Sequence, residues 1–537
     1  MSSTREGPAR KRPFLSPALP HAAAARRATR QPTAPDRAQT VVLLVLGAVF
    51  SAITIRRGIG PHDEGLMLQA GSRIVSGQWP YRDFWTNYPP GQPLVLAGLQ
   101  EIFGASLLAW RVLRIALDAV VALLAFRLSR RYTSERLALV VWLAAIGAMA
   151  FPTGPNANPA AMALTLGALL LAPRRPATAG GLAGLACLFR IEFGVAAALG
   201  AVISAPRGTR LKTAASAAAV AILALSPFLI VAPGAMLDDL FGFYGIEGLA
   251  RLPFPLGYDG PIRPSKLIEF YMPLILVIGV AVWAVAIAVQ TRTAARSKVA
   301  LRSGIGAEGR PDYPDPIALA LAPLALVSLA YLLGRTDEFH LMPLSIVLAV
   351  MLATAAAAAT GAARVALLVM LALIALNGLD RQAGQILHPP ALAEVPGPAG
   401  DGVQTDRTDA RSLRALRQTI DRLTRPGEPI FVADPRHDIV HAGDPLLYVI
   451  LGHPNPTRYD VMQPGLVTTA RVQNEIVAAL QKSGTRVLVR WLDPRATNAE
   501  HDGADRSSSV HILDDFISSH FRPVAQYGVY EVLVRSS

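Results

Sequence analysis

The sequence has few charged residues and almost no cysteine. Only 17% of its 537 residues are charged, whereas about a quarter are charged in soluble globular proteins. The single cysteine, Cys187, lies inside an apolar run, so no intramolecular disulfide can form. These shortages argue against a soluble domain and against a disulfide-stabilised scaffold.

Apolar residues are abundant instead. They make up 52% of the chain, and the mean hydropathy is +0.37. Repeated apolar runs approach the length that crosses a hydrocarbon core, which predicts a polytopic α-helical membrane protein. The net charge of +13 needs no nucleic acid to explain it, because most Arg and Lys residues lie in short connectors, as the positive-inside rule requires.

The apolar runs predict about eleven spans, with a cytoplasmic N-terminus and an external C-terminal domain. Every connector assigned to the inner side is basic, so we expect a multi-pass protein of the cytoplasmic membrane. The predicted spans are 40–57, 107–128, 136–152, 159–172, the two halves of 177–205, 213–232, 270–290, 315–333, 341–358 and 363–378.

Composition divides the chain into four parts. Residues 1–38 form a predicted disordered, basic cytoplasmic tail rather than a signal peptide. Residues 39–381 form the transmembrane domain, whose outer loop 58–106 holds two predicted interfacial helices, Leu66–Gly77 and Gln92–Phe103. A linker, 382–407, precedes an extracytoplasmic domain, 408–537.

Strands alternate with helices in the C-terminal part, which predicts a small α/β domain. This domain has no glycine-rich phosphate loop, no nucleophile elbow and no spacing typical of metal ligands. Its predicted helices are 410–423, 473–483 and 511–519, and its predicted strands are 429–434, 486–491, 523–527 and 529–534, with an apolar stretch at 446–451.

The loop from Pro61 to Gly91 is the most informative stretch. It opens with the acid pair Asp63-Glu64 and closes with the rigid turn Tyr88-Pro89-Pro90-Gly91. Asp63 is either an acidic N-cap of the following helix or a general base for an acceptor hydroxyl or amine, and the two roles are compatible. The aromatic residues are interpreted as interfacial anchors that could also stack on a sugar: Trp79, Tyr81, Phe84, Trp85 and Tyr88.

The predicted topology puts further polar residues on the outer face. Ionisable residues that border spans are candidates for function, although salt bridges within 190–192 and within 335–337 explain them equally well. The functional interpretation assigns Arg190, Lys266, Arg335 and His340 to a phosphate, and Arg82, Asp83, Tyr88, Glu192 and Asp337 to a substrate loop.

Several of these motifs resemble the GT-C glycosyltransferases, in the branch of protein O-mannosyltransferases and the lipid A aminoarabinose transferase. They are PHDEG, PYRDFW and YPPG in the first loop, WRVLR at 110–114, and the turns 189–194 and 334–340. The resemblance covers the layout of roughly the whole chain. YPPG replaces the Lys-Pro-Pro of close relatives of the lipid A enzyme, which argues against assigning the same donor or acceptor.

The resemblance implies an inverting hexosyl- or pentosyltransferase of the bacterial cell envelope. Its donor would be a polyprenyl-phosphate-linked sugar, and its acceptor a lipid, glycan or protein outside the membrane. Asp63 would act as the base, with Glu64 beside it, and the outer cations would stabilise the phosphate leaving group. No metal site is predicted, and no cofactor is required with certainty, a divalent cation being possible.

Two other classes stay open. A lipid or solute transporter or flippase should carry charges at mid-bilayer and discontinuous helices in two similar halves. The polar groups here lie instead at the outer ends of spans, and no internal repeat is evident. A non-catalytic scaffold for envelope assembly differs from a transferase only in activity.

Overall fold

The computed structural model describes residues 36–150, 157–242, 256–302, 316–497 and 507–536. The predicted disordered tail therefore lies almost wholly outside the described residues. The chain divides into two units, Met1–Val42 and Leu43–Ser537. The second unit contains every site residue discussed below.

The membrane-domain part of the described chain is helical. Its fifteen helices are α1 Arg37–Ala52, α2 Asp63–Val75, α3 Gly91–Phe103, α4 Leu107–Arg130, α5 Glu135–Met149, α6 Asn158–Leu171, α7 Pro176–Ala186, α8 Ile191–Ser204, α9 Arg210–Val231, α10 Pro233–Leu237, α11 Pro264–Phe270, α12 Met272–Arg302, α13 Pro316–Gly334, α14 Glu338–Ala358 and α15 Gly361–Leu387. Each predicted span coincides with a helix. Five of these helices, α9 and α12 to α15, are long and apolar enough to cross a membrane, so the count of eleven spans stays a prediction.

The helices differ in how much of their surface is covered. Most of α14 is buried, and it forms the centre of the helical core with neighbours from α4, α5 and α13. Most of α9 is exposed, with Leu211, Leu223 and Ile230 each more than 70% accessible. An apolar surface of this extent is abnormal for a protein in water and is what a lipid-facing helix presents.

The C-terminal part is a small α/β domain, as predicted. Its elements are α16 Arg407–Leu423, β3 Ile430–Ala433, α17 Leu446–Leu451, α18 Ala470–Ser483, β4 Val487–Trp491, α19 Ile512–His520, β5 Phe521–Tyr527 and β6 Tyr530–Arg535. The four strands form one sheet in the order β3-β4-β6-β5, in which β3 and β4 are parallel and the other pairs antiparallel.

The segment predicted as a linker is more regular than its composition suggested. Helix α15 continues to Leu387, past the expected linker start at 382. The strands β1, Leu392–Glu394, and β2, Gln404–Asp406, then pair antiparallel. Gln404 exchanges backbone hydrogen bonds with the 56–58 segment, at 2.7 and 2.8 Å. The linker is thereby attached to the entrance of the first loop.

The aromatic residues of the first loop are mostly buried, so the interfacial interpretation was wrong for three of them. Tyr81, Phe84 and Trp85 are at most 7% exposed. Trp85 packs in the core of the α/β domain, and its backbone N–H donates to the Arg458 carbonyl at 2.8 Å. The loop is enclosed by the C-terminal domain, a long-range contact that local composition does not reveal.

Candidate functional site

Asp63 lies at the start of α2, beside the C-terminal domain. His62 occupies the N-cap position and makes no side-chain capping bond, so Asp63 is the first helical residue rather than the cap. Its side chain is partly exposed. Gly65 allows the close approach of α17, because a Cβ there would lie 2.3 Å from the Leu446 nitrogen. The carboxylate is therefore held at a domain contact yet stays accessible.

Glu64 points to the opposite environment. It is fully buried, and its two oxygens accept hydrogen bonds at 2.8 Å from Nε and Nη2 of Arg111. Arg111 also donates to the carbonyls of Ile55 and Gly58. A carboxylate held by both oxygens in a buried ion pair suits a structural role. Of the two acids, Asp63 is therefore the candidate for the base.

The turn between α13 and α14 forms a compact charged group. Asp337 caps α14 by accepting from the backbone N–H groups of Phe339 and His340 at 3.0 and 3.1 Å. Its carboxylate also binds Arg335 Nε at 2.8 Å and His340 Nδ1 at 2.6 Å. Burial opposes ionisation of Asp337, but His340 and Arg335 outweigh this effect and lower its pKa.

Arg190 lies at the turn before α8 and meets the same region. It binds Glu192 at 2.5 Å, and its guanidinium carbon lies 4.5 Å from the ring centre of Tyr331. The Tyr331 ring in turn lies 4.0 Å from that of His340. Arg190 therefore forms the predicted salt bridge and also lies next to the 335–340 turn. The structural and the functional interpretation of Arg190 are compatible.

The Tyr88–Gly91 turn is fastened to the turn that carries Arg190. The Gly91 nitrogen donates to the Leu188 carbonyl at 2.7 Å, and a Cβ on Gly91 would lie 2.5 Å from that oxygen. Only glycine permits this approach. The contact brings Tyr88 and Arg190 into one region, where the charge of Arg190 acts on the Tyr88 phenol.

The charges of these segments act together on Tyr88. Burial is the main reason why the pKa of its phenol is raised. Asp63, Tyr331 and Asp337 raise this pKa further, and Arg190 lowers it. Charges from three separate segments thus act on one side chain. The phenol stays protonated at neutral pH and is available as a hydrogen-bond donor.

The C-terminal domain supplies residues that the sequence analysis missed. His62 Nδ1 lies 3.2 Å from the Gly443 carbonyl, and its Nε2 lies 3.4 Å from Gln463 Nε2. His441 Nε2 lies 3.5 Å from Arg335 Nη2. The only local signal was the position of His62 next to Asp63, because the other residues lie far away in the chain and follow no motif.

Three predicted site residues lie apart from this group. Lys266 forms an ion pair with Glu269 at 2.6 Å, and both side chains are exposed. Arg82 and Asp83 bind each other at 2.7 Å on the surface of the first loop. All three side chains are engaged in ion pairs at the surface, so we leave them out of the phosphate site.

One group of potential metal ligands lies in the C-terminal domain. Single ligand atoms of Asp438, His511 and Asp514 all lie within 4.8 Å of one another. However, Asp438 already binds Arg436 through both oxygens, and Asp514 binds His437 at 2.7 Å. These partners compete with a cation for the carboxylates, so the grouping supports no metal assignment.

No protein-family model and no curated protein matches the sequence. Among solved structures, the chain is similar to ArnT from Cupriavidus metallidurans bound to undecaprenyl phosphate. The two share 15% identity and a TM-score of 0.53, over 94% of this chain and 99% of that one. The apo state of the same protein gives 14% and 0.52, over 92% and 97%.

A third similar structure is the archaeal oligosaccharyltransferase AglB from Archaeoglobus fulgidus, in complex with an inhibitory peptide and a dolichol-phosphate. It gives 13% identity and a TM-score of 0.48, over 93% of this chain and 74% of that one. The two similar ArnT structures show the architecture of this chain. ArnT is a lipid A aminoarabinose transferase. The chain has the GT-C fold of membrane glycosyltransferases, as its first-loop motifs predicted.

Proposed function

We propose that the protein is an integral membrane glycosyltransferase with Asp63 as its general base. It moves a sugar from a polyprenyl-phosphate-linked donor to an acceptor on the outer face of the cytoplasmic membrane. The observation that carries the proposal is a series of contacts within a GT-C fold. Tyr331 joins Arg190 to His340, and the 441–443 loop joins Arg335 to His62, the neighbour of Asp63. ArnT, which shares that fold, was crystallised with undecaprenyl phosphate.

In the proposed reaction, Asp63 takes the proton from an acceptor hydroxyl or amine. The acceptor then attacks the anomeric carbon of the donor, and the bond between that carbon and the phosphate oxygen breaks. The phosphate leaves with the bonding electron pair, and this single displacement inverts the anomeric centre. A partly exposed carboxylate at a domain contact suits this role because the acceptor can reach it.

Arg190, Arg335 and His340 are proposed to stabilise the leaving phosphate. Arg335 is held by Asp337 and Arg190 by Glu192. Each carboxylate therefore fixes the direction of a guanidinium, a group whose planar set of N–H donors suits a phosphate. Glu192 and Asp337 thus act on the substrate through the cations they orient.

Envelope glycans test this proposal in the cell. A deletion strain is complemented with the wild type, with Asp63→Asn or with Asp83→Asn, and its glycans are compared by mass spectrometry. Asp83→Asn is the matched control, because it alters another acid of the same loop that binds only surface partners.

We expect one sugar to be lost in the deletion strain and restored by the wild type and by Asp83→Asn. Asp63→Asn should not restore it, although the variant accumulates in the membrane. Restoration by Asp63→Asn would remove Asp63 as the base. A glycan profile that does not respond to the deletion would contradict transfer and favour transport or a scaffold.

A further inference from the structure

The charges of the proposed site are out of balance for its ligand. The three acids of the site, Asp63, Glu192 and Asp337, are matched in number by three basic side chains, Arg190, Arg335 and His340, and His340 is already bound to Asp337. A phosphate monoester that leaves the sugar brings close to two further negative charges near neutral pH. Anion binding in a water-poor site is unfavourable unless more positive charge is present. The neighbouring histidines are the side chains that can supply it near neutral pH.

His62 is unsuited to this task. Burial lowers its pKa, with Asp63 opposing this effect, so it stays neutral at pH 7. A neutral ring with its proton on Nδ1 donates to the Gly443 carbonyl and accepts from Gln463 at Nε2. Both nitrogens are then used in holding the C-terminal domain against α2.

The contacts of His62 bring His441 to the site. Gly443 and His441 belong to one loop, which precedes α17, and the Leu446 nitrogen donates to the Pro61 carbonyl at 3.2 Å. The His441 backbone is held from the other side, where its N–H donates to the Ala496 carbonyl at 2.8 Å. The loop backbone is therefore held on both sides of His441, and the imidazole lies beside the guanidinium of Arg335.

The geometry of His441 and Arg335 suits an anion. At 3.5 Å, their contact is long for a hydrogen bond. A neutral His441 can only accept from Arg335 at Nε2, whereas a protonated one presents a second donor beside the first. Phosphate oxygens can accept from two such donors at once. Proton uptake by His441 would also offset the excess negative charge.

We propose that His441, which the C-terminal domain contributes, is a phosphate-binding residue that pairs with Arg335 and takes up a proton when the anion binds. The inference rests on the proposed function, because it assumes a polyprenyl phosphate in this site. It gives the C-terminal domain a direct part in holding the leaving group. The charged or titratable groups on the elements packed against His441 come from three places. Arg335 shares its turn with Asp337 and His340, and His62 has Asp63 behind it. Asp444 lies on the same loop, and the mutually bound Asp493 and Arg495 lie next to Ala496.

Binding of undecaprenyl phosphate to the purified full-length protein tests this assignment. Affinity is measured from about pH 5.5 to about pH 8.5, on both sides of the ordinary histidine range. The variants are His441→Ala and His441→Lys, of which the second keeps a positive charge at every pH used. His520→Ala is the control, because His520 is an exposed histidine of the same domain. Size-exclusion profiles verify that each variant is folded.

We expect wild-type affinity to fall as the pH rises through the histidine range. His441→Ala should weaken binding about tenfold at the acidic end, the value of one charge-assisted hydrogen bond, and should match the wild type at the alkaline end. His441→Lys should restore acidic-side affinity and retain it at alkaline pH. His520→Ala should follow the wild type throughout.

Three results would overturn the inference: wild-type affinity in His441→Ala at the acidic end, equal weakness of His441→Lys and His441→Ala, or no binding of undecaprenyl phosphate by the wild type. The proposed function fails separately. A wild type that binds undecaprenyl phosphate with this pH dependence, yet restores no glycan to the deletion strain, would refute transfer and leave the anion site standing.

Discussion

Two arginine–carboxylate groups lie close to Asp63, and they differ in access. The Glu64–Arg111 pair is at most 1% exposed, and its members bind each other and the backbone. The Asp337–Arg335 pair is 25–28% exposed and shares its carboxylate with His340. The residue types are the same, but only the second group has an accessible surface that a ligand can reach.

The comparison separates structural from functional ion pairs. A buried pair is costly to form and still more costly to break, because the remaining partner is left charged in a low dielectric. A partly exposed pair contributes little to stability but keeps cations oriented. Asp63 and Glu64 themselves are adjacent in sequence, yet one turn step of about 100° on a helix puts them in different environments.

The largest expected effect is on the buried pair. Arg111→Met should destabilise the protein by about 3–5 kcal/mol, because it leaves Glu64 buried without its partner. The unfolding temperature of the purified protein measures this loss. The double variant Glu64→Gln/Arg111→Met should recover part of it, since neither charge remains.

Arg82→Met is the control for this measurement, because Arg82 belongs to an exposed pair. It should leave the unfolding temperature unchanged. Equal behaviour of Arg111→Met and Arg82→Met would show that burial does not distinguish the two kinds of pair, and the comparison would fail.

The next effect concerns the accessible pair. Arg335→Met should lower the transfer rate by about 10- to 100-fold, which corresponds to the loss of one or two charge-assisted hydrogen bonds to the leaving group. The unfolding temperature should stay close to that of the wild type. Transfer kinetics and thermal unfolding of the same preparation check both parts. A large loss of stability with little loss of rate would make Arg335 a structural residue.

A third arrangement is a buried carboxyl group without a bound basic side chain. It occurs at Asp444, on the loop that carries His441, and at Asp434, next to Gly443 of that loop. Within the described part of the chain, both oxygens of Asp434 and one of Asp444 lack a hydrogen-bond partner. Burial is the main reason why the pKa of Asp434 lies well above its usual range and that of Asp444 is raised to about 7. Both groups therefore favour the protonated form in the folded state.

The pH dependence of stability follows from this shift. Because the folded-state pKa of Asp444 exceeds the unfolded one, the folded state retains a proton that the unfolded state loses. Its contribution to stability is therefore lost as the pH rises from about 4 to about 7. Asp444→Asn should flatten this part of the profile by a few degrees of unfolding temperature, and the exposed Asp515→Asn should not. An unchanged slope in Asp444→Asn would refute the buried-carboxyl account.

Hydropathy predicted the helices well, because lipid contact and helix length are properties of local composition. The α/β domain was also predictable, since its strands and helices alternate in short, well-marked segments. The burial of Tyr81, Phe84 and Trp85 could not be predicted from the sequence. An aromatic loop at an interface and one under a domain have the same composition, and only the long-range contact with 458–461 distinguishes them.

The candidate site was predicted in part for the same reason. Arg190, Arg335, Asp337 and His340 border spans, where charge is conspicuous in the sequence. Arg111, the partner of Glu64, belongs to the WRVLR motif, but nothing in the sequence indicates that it binds Glu64. His441 and Gln463 lie in a soluble domain, where polar residues are ordinary, so nothing in the sequence drew attention to them.

The central claim is that Asp63 is the base and the neighbouring Glu64 is not. The most direct measurement compares sugar transfer and undecaprenyl phosphate binding by purified wild type and Asp63→Asn. The account predicts a transfer rate that is about 10²- to 10⁴-fold lower, with unchanged binding and an unchanged unfolding temperature. Transfer at the wild-type rate by a folded Asp63→Asn protein would contradict it.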